Sequence, residues 1–128
     1  MMEANEVYKE YLGEGYVSTV RLILGADEML CPKDMVNADL NIGAMKMMMA
    51  DVFDQKPMLF ASVTTEKKMK MINTAALYYL ASILCVALAS RTAVPPFNTF
   101  RYKKNWDKKR KKCVDKANGL LARLLKMG

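Results

Sequence analysis

The chain contains no histidine. That removes the commonest general base and metal ligand, and with it any Ser-His-Asp or Cys-His arrangement. Cysteine is scarce: Cys31, Cys85 and Cys113 are odd in number, far apart and without CxxC spacing. This argues against a zinc knuckle or a thioredoxin-like site. All three read as structural thiols of a reducing compartment, Cys85 as a small buried hydrophobe. Glycine is also sparse, and Gly13, Gly15 and Gly25 form neither a GxGxxG nor a P-loop. The acidic pairs, Asp27-Glu28 and Asp51 with Asp54, have the spacing of a solvated surface rather than of a metal site. The N-terminus, MMEANEVYKEY, lacks an apolar h-region, so no secretory signal peptide is expected. Neither an enzyme nor a cofactor or metal is expected.

What is present begins with one stretch, residues 69–91, MKMINTAALYYLASILCVALASR. Residues 75–89 carry no charge, and their only polar groups are two tyrosines, one serine and one cysteine. A membrane span needs about 20 predominantly apolar residues, and the uncharged run 71–90 just reaches that length. It holds Asn73, Thr74, Ser82 and Ser90 and is rich in alanine rather than leucine. Basic clusters flank it on both sides, so the positive-inside rule gives no orientation. These features favour the central helix of a small bundle, with Leu77, Leu80, Ile83, Leu84 and Leu88 as its core and no membrane as partner.

At 128 residues the chain fits one domain with a modest core. Residues 1–15 read as a polar arm and 16–128 as a helical domain. In the segment YVSTVRLIL (16–24), Ser18 or Thr19 is a candidate cap and Gly25 a candidate C′ glycine; helix is preferred over strand for want of a strand partner. Residues 27–33 form a loop. A helix from about Asp34 to Asp54 follows, with Met35, Ala38, Ile42, Met45, Met49 and Val52 or Phe53 on one face. Asn37, Asn41, Lys46 and Asp51 lie opposite. The methionines Met45, Met47, Met48 and Met49 suit a core, and Met47 and Met48 also suit an adaptable interface. A connector broken by Pro57, with Met58, Leu59 and Phe60 turned inward, leads to the long helix, for which Thr64 or Thr65 is the cap. Along that helix a stripe runs from Met69, Ile72 and Ala76 through Tyr79, Leu80, Ile83, Val86 and Ala87. An extended aromatic loop (94–102) precedes a terminal helix capped by Asn105. Its stripe is Trp106, Arg110, Cys113, Ala117, Leu120, Leu121 and Leu124, and a bend or close helix contact is expected at Gly119. The fold class is therefore all-α, a small bundle of about four helices with a long central apolar helix and extended terminal arms.

Charge is divided unevenly. Residues 1–64 hold five Lys/Arg against ten Asp/Glu, and residues 65–128 hold fifteen against three. The second half is thus suited to a polyanionic partner. The densest run, residues 101–116, places Arg101, Lys103, Lys104, Lys108, Lys109, Arg110, Lys111, Lys112 and Lys116 within sixteen residues. Such a run neutralises phosphates without reading sequence, because no base-reading motif accompanies it. The same lysines also suit a solvated face, an acidic protein surface, nuclear localisation or anionic lipid.

The order of elements resembles the head–tail adaptor (connector, head-completion) proteins of tailed bacteriophages. The resemblance spans residues 16–127: a short helix ending in Gly25, the segment DMVNADLNIGA from Asp34, and an alanine-rich helix opening TEKKMKMINTAA at Thr65. An aromatic linker and a basic terminal helix complete it. The methionine content and the longer N-terminal arm depart from that family. The resemblance implies a homo-oligomeric ring, usually of twelve copies, made in the bacterial cytoplasm and placed at the head–tail junction of the virion. It would join the portal protein to a tail or stopper protein and line the exit channel for double-stranded DNA, bound without sequence specificity. The alternative is a small sequence-nonspecific nucleic-acid-binding protein acting through residues 101–116.

Overall fold

The computed structural model describes residues 12–55 and 66–127, the side chains of 52–55 and 127 excepted. The described residues form five α-helices and no strand: α1 Tyr16–Leu24, α2 Lys33–Val36, α3 Asp39–Gln55, α4 Glu66–Arg91 and α5 Trp106–Met127. A 3-10 turn, Phe100–Tyr102, lies between α4 and α5. The chain is an all-α bundle around α4, as its apolar run requires.

Helix α1 starts one residue after Gly15, which adopts a left-handed φ of 69° and gives no side-chain cap. Neither Ser18 nor Thr19 caps it; both lie inside the helix, and the Thr19 hydroxyl donates back to the Gly15 carbonyl. The C-terminus follows expectation. Gly25 sits at φ 62°, its N–H bonds to the Leu22 carbonyl, and the Ala26 N–H reaches the Arg21 carbonyl. That double bond is the Schellman closure, which satisfies carbonyls otherwise left open at a helix end.

The helix expected from Asp34 to Asp54 is two helices, α2 and α3, parted at Asn37-Ala38. Two side-chain contacts accompany the break. Asn37 takes φ −90° and ψ 3°, the Tyr16 hydroxyl donates to its Oδ1, and Asn41 Nδ2 donates to the Met35 carbonyl at 2.7 Å. Asparagine competes with the helix ladder in this way. The apolar face is otherwise the expected one: Ile42, Met45 and Met49 are fully covered, Met48 is half-buried, and Met47 is 74% exposed. The side chains of Val52 and Phe53, residues 1–11 of the expected 1–15 arm, Met58 to Phe60 of the connector and the Thr64/Thr65 cap lie outside what the structure describes.

Helix α4 packs most extensively on α5, then on α3 and α1. Leu77, Leu80, Leu84 and Leu88 are buried as expected, together with Ile72, Tyr79 and Cys85. Each fully buried leucine contributes about 1.5–3 kcal/mol. Four members of the expected stripe differ: Met69, Ile83 and Ala87 are only half-buried and Val86 is 62% exposed. The covering helices leave one side of α4 open near its C-terminus, so the stripe rotates away from Val86. By length and composition α4 could cross a membrane, yet 61% of its most apolar window is buried inside the protein.

Helix α5 runs antiparallel to α4. Tyr79 donates to Asn118 Oδ1, and one helical segment further on the Trp106 indole donates to Thr92 Oγ1 at 3.1 Å. Trp106, Cys113, Ala117, Leu121 and Leu124 are buried. Asn105 caps α5 as expected, its Oδ1 accepting from the Lys108 N–H at 3.0 Å. Gly119 is exposed with open space where a Cβ would stand, so the expected close helix contact is absent there. The expected extended loop folds more tightly than its aromatics suggest: Phe97 meets Tyr102 edge-on at 5.3 Å, while Phe100 in the 3-10 turn is 94% exposed. Three residues outside the helices or ahead of them, Leu12, Leu30 and Cys31, also enter the core, so the core begins before Tyr16.

Candidate nucleic-acid interface

The nine basic residues of 101–116 do not act as one patch, because the fold gives them different partners. Arg101 pairs with Asp27 at 3.2 Å and stacks on the Tyr102 ring. Lys104 Nζ donates to the carbonyls of Leu24 and Gly25, at 3.1 and 2.8 Å. This places a cation on the negative end of the α1 dipole. Arg110 and Lys111 both pair with Asp107, at 3.0 and 3.3 Å, one turn along the same helix. The hydrogen bond from Arg110, then that from Lys111, holds the Asp107 carboxyl below its ordinary pKa. Exposed pairs of this kind contribute little stability, but Asp27 offsets the charge of Arg101, and Asp107 offsets one of the two charges of Arg110 and Lys111.

Lys103, Lys108 and Lys112 are exposed, Lys109 is half-buried, and exposed Lys116 sits over the Tyr78 ring at 5.4 Å. Lys109, Lys112 and Lys116 line a shallow groove with Tyr78 and Ile23. A second groove continues it past Thr74, Gly119 and Leu120 to Arg123. A third, sharing Arg123, ends at Lys67, Met71 and Lys126. The three follow the seam between α4 and α5, and Asp115 is the acid within them among the described residues.

The result is a basic track rather than a basic run. Lys109, Lys112, Lys116, Arg123 and Lys126 fall at intervals of three, four, seven and three on one face of α5. At 1.5 Å per residue they extend over roughly 25 Å. Lys67 reaches the same track from the first turn of α4, because the helices are antiparallel. Arg123, Lys126, Lys67 and Tyr78 were not among the residues expected from the basic run. The signal for two of them was present: the helical interval of Lys109, Lys112 and Lys116 continues through Arg123 and Lys126. For Lys67 and Tyr78 the signal is tertiary only.

Chemically, the track offers mobile ammonium groups, one guanidinium, and an open floor at Gly119. Cys113 also lines it, and among the described residues no group of three His, Cys, Asp or Glu side chains could hold a metal ion. Lysines along a groove neutralise phosphate oxygens by charge, and they carry no information about base identity. Against known proteins, no family model, no curated protein and no solved structure matches this chain.

Proposed function

We propose that this protein is a non-catalytic structural subunit that assembles with copies of itself and borders double-stranded DNA at a phage head–tail junction. The observation that carries the DNA part is the 25 Å basic track along the α4–α5 seam, roughly three-quarters of a duplex turn. A track without base-reading groups suits DNA that must slide past, since tight specific contacts would retard it. The assembly part is supported by large apolar side chains left on the outside: Leu22, Leu40, Met47 and Phe100 are each more than 70% exposed. The head–tail adaptor resemblance adds the setting: a ring between portal and tail proteins, within the virion.

The alternative, a monomeric sequence-nonspecific nucleic-acid-binding protein, rests on the same track without the ring. Native mass spectrometry and electron microscopy, alone and with duplex DNA, separate the two. A closed ring with weak DNA binding by the free monomer supports the structural subunit. Tight, salt-dependent binding by a monomer that never assembles supports the alternative and refutes the ring.

A further inference from the structure

The three cysteines are scattered in sequence, yet two of them meet. Cys85 on α4 and Cys113 on α5 face each other across the most extensive helix pair, both buried and both free thiols. In the antiparallel register of the two helices Cys85 stands opposite Cys113, midway between the pairs Tyr79–Asn118 and Thr92–Trp106. The bonds Tyr79–Asn118 on one side and Trp106–Thr92 on the other fix the register that brings them together. Cys113 also lines the basic groove with Lys109, Lys112 and Lys116, whereas Cys85 edges a different groove beside Trp106 and Arg110.

We propose that Cys85 and Cys113 form a dithiol switch, oxidised by a low-molecular-weight anionic disulfide such as oxidised glutathione to a bond linking α4 to α5. The two thiols have unequal roles. The hydrogen bond from Cys85, aided by the charges of Lys109 and Lys116, draws the Cys113 thiol down to about 7 against its burial. The same contact, followed by burial, pushes Cys85 well up. Cys113 is assigned as the nucleophile because it lines the basic groove from which an anionic oxidant approaches, whereas Cys85 does not.

The Cys113 thiolate attacks one sulfur of the oxidised glutathione, forms a mixed disulfide and expels one glutathione thiolate. Cys85 then gives up its proton, attacks the Cys113 sulfur and expels the second glutathione. In sum, two protein thiols are oxidised to one disulfide while one glutathione disulfide is reduced to two thiols. The lysines lining the groove favour approach of the anionic oxidant. Cys31 is a built-in control: it is as buried as the other two but lies between α1 and α2, outside the α4–α5 pair, and burial raises its pKa despite the charges of Arg21 and Arg91. The switch does not depend on the DNA-binding reading.

The test uses the full reduced chain, without denaturant, incubated with oxidised glutathione at pH 7.5. Free thiols are expected to fall from three to one per chain, with a Cys85–Cys113 cross-linked peptide arising within single chains. The Tm should rise by roughly 5–15 °C, the range for a disulfide in a small domain, and dithiothreitol should restore all three thiols. Retention of three thiols, a link between chains, a link to Cys31, or a lasting glutathione adduct on the unmodified sequence would each overturn the proposal. Cys85→Ser should trap the adduct on Cys113, and Cys113→Ser should leave Cys85 unreacted. The reverse pattern would refute the assigned roles, and the thiol count of the unsubstituted chain decides the switch even if a variant folds poorly.

Discussion

Two small residues illustrate how much depends on single side chains. Gly25 holds a left-handed backbone, and a Cβ there would stand 2.3 Å from the Lys104 amine that caps α1. Gly25→Ala is expected to destabilise by about 1–2 kcal/mol from the backbone term alone, read as a lower urea midpoint. Asp27 gathers three donors: the Leu30 N–H at 2.8 Å, the Tyr102 hydroxyl at 3.0 Å and the Arg101 guanidinium. The Leu30 bond first, then Tyr102 and Arg101, hold its carboxyl below the ordinary value. A depressed folded-state pKa adds stability above the unfolded value of about 3.9, and that stability is lost as pH falls through the lower folded value. Asp27→Asn should therefore cost about 1 kcal/mol at neutral pH, discounted for partial exposure. The gap between the two proteins should close below about pH 4 in paired unfolding curves. A gap unchanged down to pH 2 would contradict the ionic assignment.

Among elements, the α4–α5 pair carries the fold. Leu84 is fully buried on α4, and Leu84→Ala should cost about 3 kcal/mol through lost transfer energy and the cavity left behind. Leu84→Lys should prevent folding, because it buries an unpaired charge; a soluble, folded Leu84→Lys protein with native helix content would displace Leu84 from the core. Tyr79→Phe should cost about 1 kcal/mol by leaving Asn118 without its donor, and thermal melting would show it. The long helices were legible in the sequence because their periodicity is local. The break between α2 and α3 was not legible. It depends on Tyr16 arriving from α1 to meet Asn37, and on Asn41 turning back to the Met35 carbonyl. Neither contact leaves a mark in the apolar spacing. Val86 failed for a related reason: a stripe of apolar residues names a face of a helix, but neighbours decide how far round that face the cover extends.

For the whole molecule, the track sets a measurable expectation. If Lys109, Lys112, Lys116, Arg123 and Lys126 each neutralise one phosphate, log K for duplex DNA should fall with log salt at a slope of about −4.5. Arg123→Ala with Lys126→Ala should reduce that slope by about 2, although both lie outside the dense basic run. Lys104→Met should lower stability and leave DNA affinity within about twofold, since its charge is committed to α1. Equal losses from all three substitutions would mean that the lysines act as a diffuse cloud, not as a track.

By itself the sequence determined the two long helices α4 and α5, the caps at Gly25 and Asn105, the leucines of the core and the surplus of positive charge in the second half. Those properties follow from spacing and residue type along one chain segment, which is where local physics operates. Only the tertiary structure decided which cations remain to face a partner: Arg101 and Lys104 are committed to the α1 end and its following turn, while Lys67 joins α5 from another helix. It also decided that Cys85 and Cys113 stand opposite each other on α4 and α5. The apolar run of α4 is thus more than a scaffold. Its antiparallel packing against α5 creates both the groove and the thiol pair, and that register is set by contacts between helices, which local spacing does not encode.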